Sequence, residues 1–234
     1  MSREPISHEA RRGAFFGRRK GHKLRPKRAE LLATLLPKLS LELARSAPGD
    51  LGQLFPVPIK GVALEIGFGA GENFAREAAA NPEFGCIGVE PFVNGMASAL
   101  ALIEANALKN VRLHHGDAIE VLDWLPDRSV ARIDILYPDP WPKRRHWKRR
   151  LISDAAVASL ARIATPGAVV RFATDIADYA EWTLIRFRRS PDFAWTAECA
   201  NDWRKPWPGF AGTRYEAKAL KEGRRPNYFV FRRL

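Results

Sequence analysis

The 234-residue chain is short of cysteine and has no long apolar run, and each shortage removes a class of protein. Its two cysteines, Cys86 and Cys199, lie far apart, and Cys86 opens an apolar segment that reads as a buried strand. A disulfide framework is therefore not expected, and without suitably spaced histidines neither is a metal site. No stretch approaches the roughly 20 apolar residues that span a bilayer. The opening residues, MSREPISHEARRGAFFGRRKGHKLRPKR, lack the apolar centre of a signal peptide. A soluble, cytoplasmic protein without membrane association is expected. Negative charge is also scarce: 26 acidic residues face 38 lysines and arginines, a formal net charge of +12. Such a field attracts nucleic acid, anionic membrane or acidic proteins.

The 46% of hydrophobic residues suffices for an ordinary core. Residues 1–28 read as a basic, flexible arm carrying Arg18, Arg19, Lys20, Lys23 and Arg25. Leucines at 31, 32, 35, 36, 39, 41 and 43 follow helical spacing, with Pro37 bending or dividing the helix. SAPGDLGQLFPVPIKG is a connector full of turn residues. From Val62 onward short apolar runs alternate with amphipathic stretches. VALEIGF, CIGVE, VRLHHG, IDILYPD and AVVRFATD read as strands; GENFAREAAAN, FVNGMASALALIEANAL, DAIEVLDWL, RRLISDAAVASLARIA and ADYAEWTLIRFRRS read as helices. RRPNYFVFRRL reads as a final strand after a loop-rich region with a short helix near Tyr215. This alternation predicts an α/β fold, a doubly wound and mostly parallel sheet in one domain over residues 29–234.

In such sheets ligands sit beyond the carboxyl ends of the strands. The first strand ends in LEIGFGAG, where Gly67, Gly69 and Gly71 permit a tight turn and close backbone approach. The spacing is GxGxG, not the GxGxxG of dinucleotide binders. Glu65 precedes it, Glu90 ends the second strand, Asp117 the third and Asp139 the fourth. Glu90 suits the two hydroxyls of a ribose, and Asp117 an adenine amino group. A ribose, an adenine, an ammonium and a sulfonium without phosphate match that set, which points to S-adenosylmethionine, with S-adenosylhomocysteine as its product. An acid at a strand end also serves simply to cap the next helix.

The fourth strand runs into YPDPWPKRRHWKRR. Asp139 sits between prolines, either as a turn-former or beside a substrate, and Trp141 is placed to stack on a base. Amino-directed N-methyltransferases carry a related stretch with two prolines before the aromatic, whereas only one separates Asp139 from Trp141. The cations that follow suit phosphates around a target nucleotide, or a solvated loop. Trp203 and Trp207 either stack on bases or pack against the tail strand. His114 and His115 have no metal cluster or nucleophile beside them and read as structural.

FFGRRKGHKLRP, LEIGFGAGEN, IGVEPF, HGDA, YPDPWPKRRHWKRR, FATDIADYAEW and GTRYEAKALKEGRRP together resemble the bacterial tRNA (guanine-N7)-methyltransferases over nearly the whole chain. The resemblance implies a Rossmann-like class I methyltransferase that makes 7-methylguanosine in the tRNA variable loop. It implies cofactor contacts from Glu65, Glu90, Asp117, Ala118 and Asp139, with Asp139 as the catalytic residue. It assigns substrate contacts to Lys143, Asp175, Thr213, Arg214, Tyr215 and Glu216, and RNA contacts to Arg145, His146, Trp147, Lys148, Arg149 and Arg150. Tyr137 stands where the family commonly has phenylalanine, and Trp147 where it commonly has asparagine. tRNA is the expected partner; no obligate protein partner is implied, and the chain is expected as a monomer or homodimer. A nicotinamide-dependent oxidoreductase and an RNA-binding module without catalysis are the competing readings.

Overall fold

A computed structural model describes residue 17 and residues 19–234. The remainder of the expected basic arm, residues 1–16 and Arg18, lies outside the described residues. The sheet is built from β1 (Gly61–Ile66), β2 (Phe84–Val89), β3 (Val111–His114), β4 (Val130–Leu136), β5 (Ala164–Thr174), β6 (Phe193–Trp195) and β7 (Asn227–Arg233). Around it lie α1 (Pro26–Thr34), α2 (Leu36–Leu39), α3 (Glu72–Ala80), α4 (Val93–Ala105), α5 (Ala118–Trp124), α6 (Asp154–Ile163), α7 (Ala177–Arg189), α8 (Asn201–Arg204) and α9 (Arg214–Lys221). The strand order is β3-β2-β1-β4-β5-β7-β6. β1 to β5 pair in parallel, and β7 runs antiparallel between β5 and β6. The order reverses between β1 and β4, so their carboxyl ends open the crevice that such sheets use for ligands.

Strand parity decides which helices each residue meets. Leu64, Ile66, Ile133, Ile135, Val170 and Phe172 join one buried cluster with residues of α5, α6 and α7. Ala63 and Cys86 join a second cluster with Leu31, Phe74, Met96 and Leu100 of α1, α3 and α4. Both faces are covered, which is why the parallel strands are near-continuous apolar runs. The second face also holds charge. Glu65, Asp134 and Arg171 are in register across β1, β4 and β5. Arg171 grips both oxygens of Asp134, and Glu77 of α3 accepts from Arg132 at 2.8 Å and Arg171 at 3.2 Å. Asp134 is buried and Glu77, Arg132 and Arg171 are half-buried, and each of these four has an opposite partner, the condition under which buried charge is tolerated.

Two expected boundaries shift, and three short elements are added. The boundary expected at residue 28 falls inside α1, which begins at Pro26, where proline's fixed φ suits a helix start. Residues before it are tied down: Arg19 accepts from Val93 N, Gly21 N donates to Asn94 Oδ1 at 2.7 Å, and Asn94 Nδ2 donates to His22 O. The helix expected from Arg149 begins only at Asp154, because Ser153 caps it by accepting from Ala156 N. Residues Arg144–Arg149 form a 3-10 helix instead, and β6 and α8 were not anticipated.

Candidate active site

The residues at the carboxyl ends of β1, β2 and β4 enclose a cleft of about 620 Å³. Its first wall is the turn after β1. Gly67, Gly69 and Gly71 have φ of +74°, +60° and +82°, a region where a side chain is strained. Helix α4 approaches so closely that a Cβ on Gly95 would overlap the Gly69 carbonyl oxygen.

Glu90 closes the second wall. Its Oε2 accepts from Gly69 N at 2.6 Å and its Oε1 from Phe92 N at 2.9 Å, so one carboxylate ties the glycine turn to the segment after β2. Burial pushes its pKa up to about 7, against the pull of those two backbone donors, and nearby Asp139 adds to the rise. Asp117 lines the cleft while capping α5 by accepting from Ile119 N at 3.0 Å. Burial also raises the pKa of Asp139. The backbone around Asp139 is unusual: Tyr137 and Trp141 have φ of +52° and +43°. Non-glycine residues in that region persist only where their surroundings over-determine them, and such strain clusters at functional sites.

The mouth is aromatic and cationic. Trp141 and Tyr215 both line the cleft. Tyr215 is 58% exposed, and its ring lies 3.4 Å from where a Gly69 Cβ would sit. Helix α9 holds it there through a capping box between Thr213 and Glu216, and an Arg214–Glu72 ion pair of 2.6 Å joins α9 to the start of α3. Arg149 stands 5.0 Å over the Trp141 ring, and Lys148 and Gly17 complete this edge.

Gly67, Gly69, Glu90, Asp117, Ala118, Asp139, Tyr215, Lys148 and Arg149 thus meet at one cleft. Others do not. Glu65 is buried under the glycine turn and accepts from Asn73 Nδ2 at 2.9 Å, because its strand parity points it at α3 and not into the crevice. Burial, then the charge of Asp134, pushes its pKa up to about 8. Gly71 packs against Ala99 of α4. Asp175 accepts from Arg224, and Asp175, Lys143, Arg145 and His146 lie outside the lining of the cleft. Glu216 accepts from the Tyr228 hydroxyl. Trp147 is half-buried and packs edge-on against Trp182, and Arg150 belongs to the cleft lining while its side chain has 0% exposure. Trp203 packs on the core, and Trp207 packs against Tyr228 and Phe210 with Arg171 4.9 Å from its ring, so packing decides the fate of both. His114 pairs with Glu120 at 2.7 Å. Sequence reading missed Gly95, although a glycine inside a helix costs about 1 kcal/mol and signals a close approach.

Residues 60–228 match a family model described as a putative methyltransferase. A tRNA (guanine-N(7)-)-methyltransferase of Rhodopseudomonas palustris strain BisB5 is 53% identical over 231 residues, spanning 99% of this chain and 89% of the relative. One from Nitrobacter hamburgensis is 56% identical over 225 residues, 96% and 88% of the two chains. Among solved structures, a precorrin-6y C5,15-methyltransferase from Geobacter metallireducens superposes with a TM-score of 0.51 at 14% identity, covering 92% of this chain and 94% of that one. That likeness concerns the fold, which is the Rossmann-like class I methyltransferase fold.

Proposed function

The chain belongs to the tRNA (guanine-N7)-methyltransferase family, and from that premise we propose that it transfers a methyl group from S-adenosylmethionine to N7 of a guanosine in the tRNA variable loop. One observation carries the reading: the acids ending β2, β3 and β4 share a single cleft whose mouth presents two aromatic rings and cations. The donor set fits the cofactor. Its carboxylates suit hydroxyls, an amino group and a positive centre, and the Gly69 N–H that a phosphate would need is already given to Glu90. That last point also disfavours a dinucleotide.

S-adenosylmethionine supplies an electrophilic methyl group on a sulfonium. The protein's part is placement. Glu90 accepts from the ribose hydroxyls with lone pairs left over from its two backbone donors. Asp117 faces the adenine. Trp141 and Tyr215 offer ring faces to the incoming guanine, whose alignment at a near-attack distance supplies much of the rate. Guanine N7 carries a free lone pair, so no proton must leave before attack. Asp139 accepts from the ring and amino donors of the base and offsets the positive charge that grows on the purine. Lys148, Arg149 and Arg145 hold the flanking phosphates.

The test is incubation of the protein with labelled S-adenosylmethionine and unmodified tRNA, followed by digestion and nucleoside analysis. Label in 7-methylguanosine from the variable loop is expected. Label in another nucleoside, or none with intact protein, would refute the reading.

A further inference from the structure

Six cations lie between Lys143 and Arg150, and charge alone assigns them one purpose. Five are exposed or half-buried; Arg150 is not, with a side-chain exposure of 0%. Its guanidinium carbon lies 4.9 Å from the Trp147 ring centroid, 5.0 Å from that of Tyr179 and 4.8 Å from that of Trp182. Its Nη2 pairs with Asp178 in the first turn of α7, and its Nε donates to the Pro140 carbonyl at 2.8 Å. The cage is itself anchored: Trp182 Nε1 donates to Ile152 O at 2.6 Å, and Ile152 N donates to the Tyr179 hydroxyl.

Pro140 stands between Asp139 and Trp141. Pro138, Pro140 and Pro142 bring no N–H, and residues 138–142 make no backbone–backbone hydrogen bond among the described residues. Tyr137 N, which donates to Ala173 O at 2.8 Å, ties one end of the segment to β5. Past that point the Arg150–Pro140 bond grips the backbone between the carboxylate and a left-handed Trp141, while Arg149 and His146 meet Trp141 at its ring.

We propose that Arg150 is a positioning residue for Asp139 and Trp141, acting through the Pro140 carbonyl, and not a phosphate ligand. The proposal rests on the reading of Asp139 as the group that meets the target base. It requires arginine specifically. A guanidinium can stack between rings while donating in two directions; an ammonium on the same stem cannot. A phosphate contact, by contrast, tolerates lysine, because it asks chiefly for charge.

The test compares wild type, Arg150→Lys and Asp178→Asn in single-turnover methyl transfer at saturating tRNA and donor, and in tRNA binding across a salt series. Arg150→Lys is expected to slow transfer by about a hundredfold, the scale of a small misplacement at a reacting centre. Its tRNA affinity should stay within about twofold, with an unchanged salt slope, because the side chain makes no phosphate contact. Asp178→Asn, at a half-exposed position, should slow transfer by about tenfold, again without a change in slope, since misplacement is smaller when the guanidinium is retained. A wild-type rate in Arg150→Lys, or weakened binding with a flatter slope and a normal saturated rate, would overturn the proposal. If Arg150→Lys does not fold, Asp178→Asn decides, and an unaltered rate there overturns it equally. Failure of the wild type to form 7-methylguanosine would instead strike the underlying functional reading, which separates the two.

Discussion

Glu90→Gln should make the protein relatively more stable as the pH rises while weakening its hold on the donor. Glu90 is 6% exposed, and its pKa rises from an ordinary 4.5 to about 7, chiefly through burial. A carboxyl raised in this way contributes stability that is fully present below pH 4.5 and is lost as the pH climbs through about 7. At about 1.4 kcal/mol per pH unit, the interval from 4.5 to 7 makes about 3 kcal/mol, to be taken as an order of magnitude. Glutamine does not titrate. It also cannot accept from both Gly69 N and Phe92 N, which costs about 1–3 kcal/mol at every pH. The informative quantity is therefore the difference in unfolding free energy between variant and wild type, followed from pH 4 to 8.5 by urea denaturation. That difference should move in favour of the variant by about 3 kcal/mol. Calorimetry at pH 8 should show S-adenosylmethionine binding weakened by at least about tenfold, since a hydrogen bond to a charged acceptor is worth about 1.5–3 kcal/mol. A stability difference flat in pH, or one moving toward the wild type, would refute the reasoning about Glu90.

Asp139→Ala should lower single-turnover transfer by at least about a hundredfold, the scale of losing one preorganised electrostatic group, with the circular dichroism spectrum unchanged; near-normal turnover would remove Asp139 from its role. Replacing Arg145 and Lys148 together by alanine should weaken tRNA binding and reduce the slope of log affinity against log salt by about 2, roughly one per lost phosphate contact; an unchanged slope would mark both as merely solvated. Gly95→Ala should lose about 1–3 kcal/mol of stability and weaken donor binding, because the new methyl meets the Gly69 carbonyl, backbone that cannot rotate away; a melting temperature equal to wild type would contradict that contact. S-adenosylmethionine binding by the wild type should tighten as the pH rises from 6 toward 8, as Glu90 ionises through about 7, with protons released on binding; a pH-independent affinity would disconnect Glu90 from the ribose.

The sheet was legible because its strands are buried on both faces and bounded by turn residues, so each reads as a short apolar run. The acids at strand ends were equally plain. Their orientation was not drawn from the sequence, although it lay within reach. Glu65 sits between Leu64 and Ile66, both of which face α5 to α7, so parity alone sends Glu65 to α3. The fate of Arg150 was out of reach. A run of cations reads as solvated, and the rings that enclose it come partly from Tyr179 and Trp182, some 30 positions downstream in a different element. β6 escaped notice because an edge strand of three residues carries almost no periodic signal. The functional resemblance was stronger than any of these local patterns, since it drew on motifs spread over most of the chain.

A crystal structure of the protein with S-adenosylhomocysteine measures the central claim most directly. The ribose hydroxyls should lie within hydrogen-bond distance of Glu90, the adenine beside Asp117, and the sulfur should turn toward Asp139 between Trp141 and Tyr215. A ligand found away from this cleft, or one whose sulfur faces away from Asp139, would contradict it.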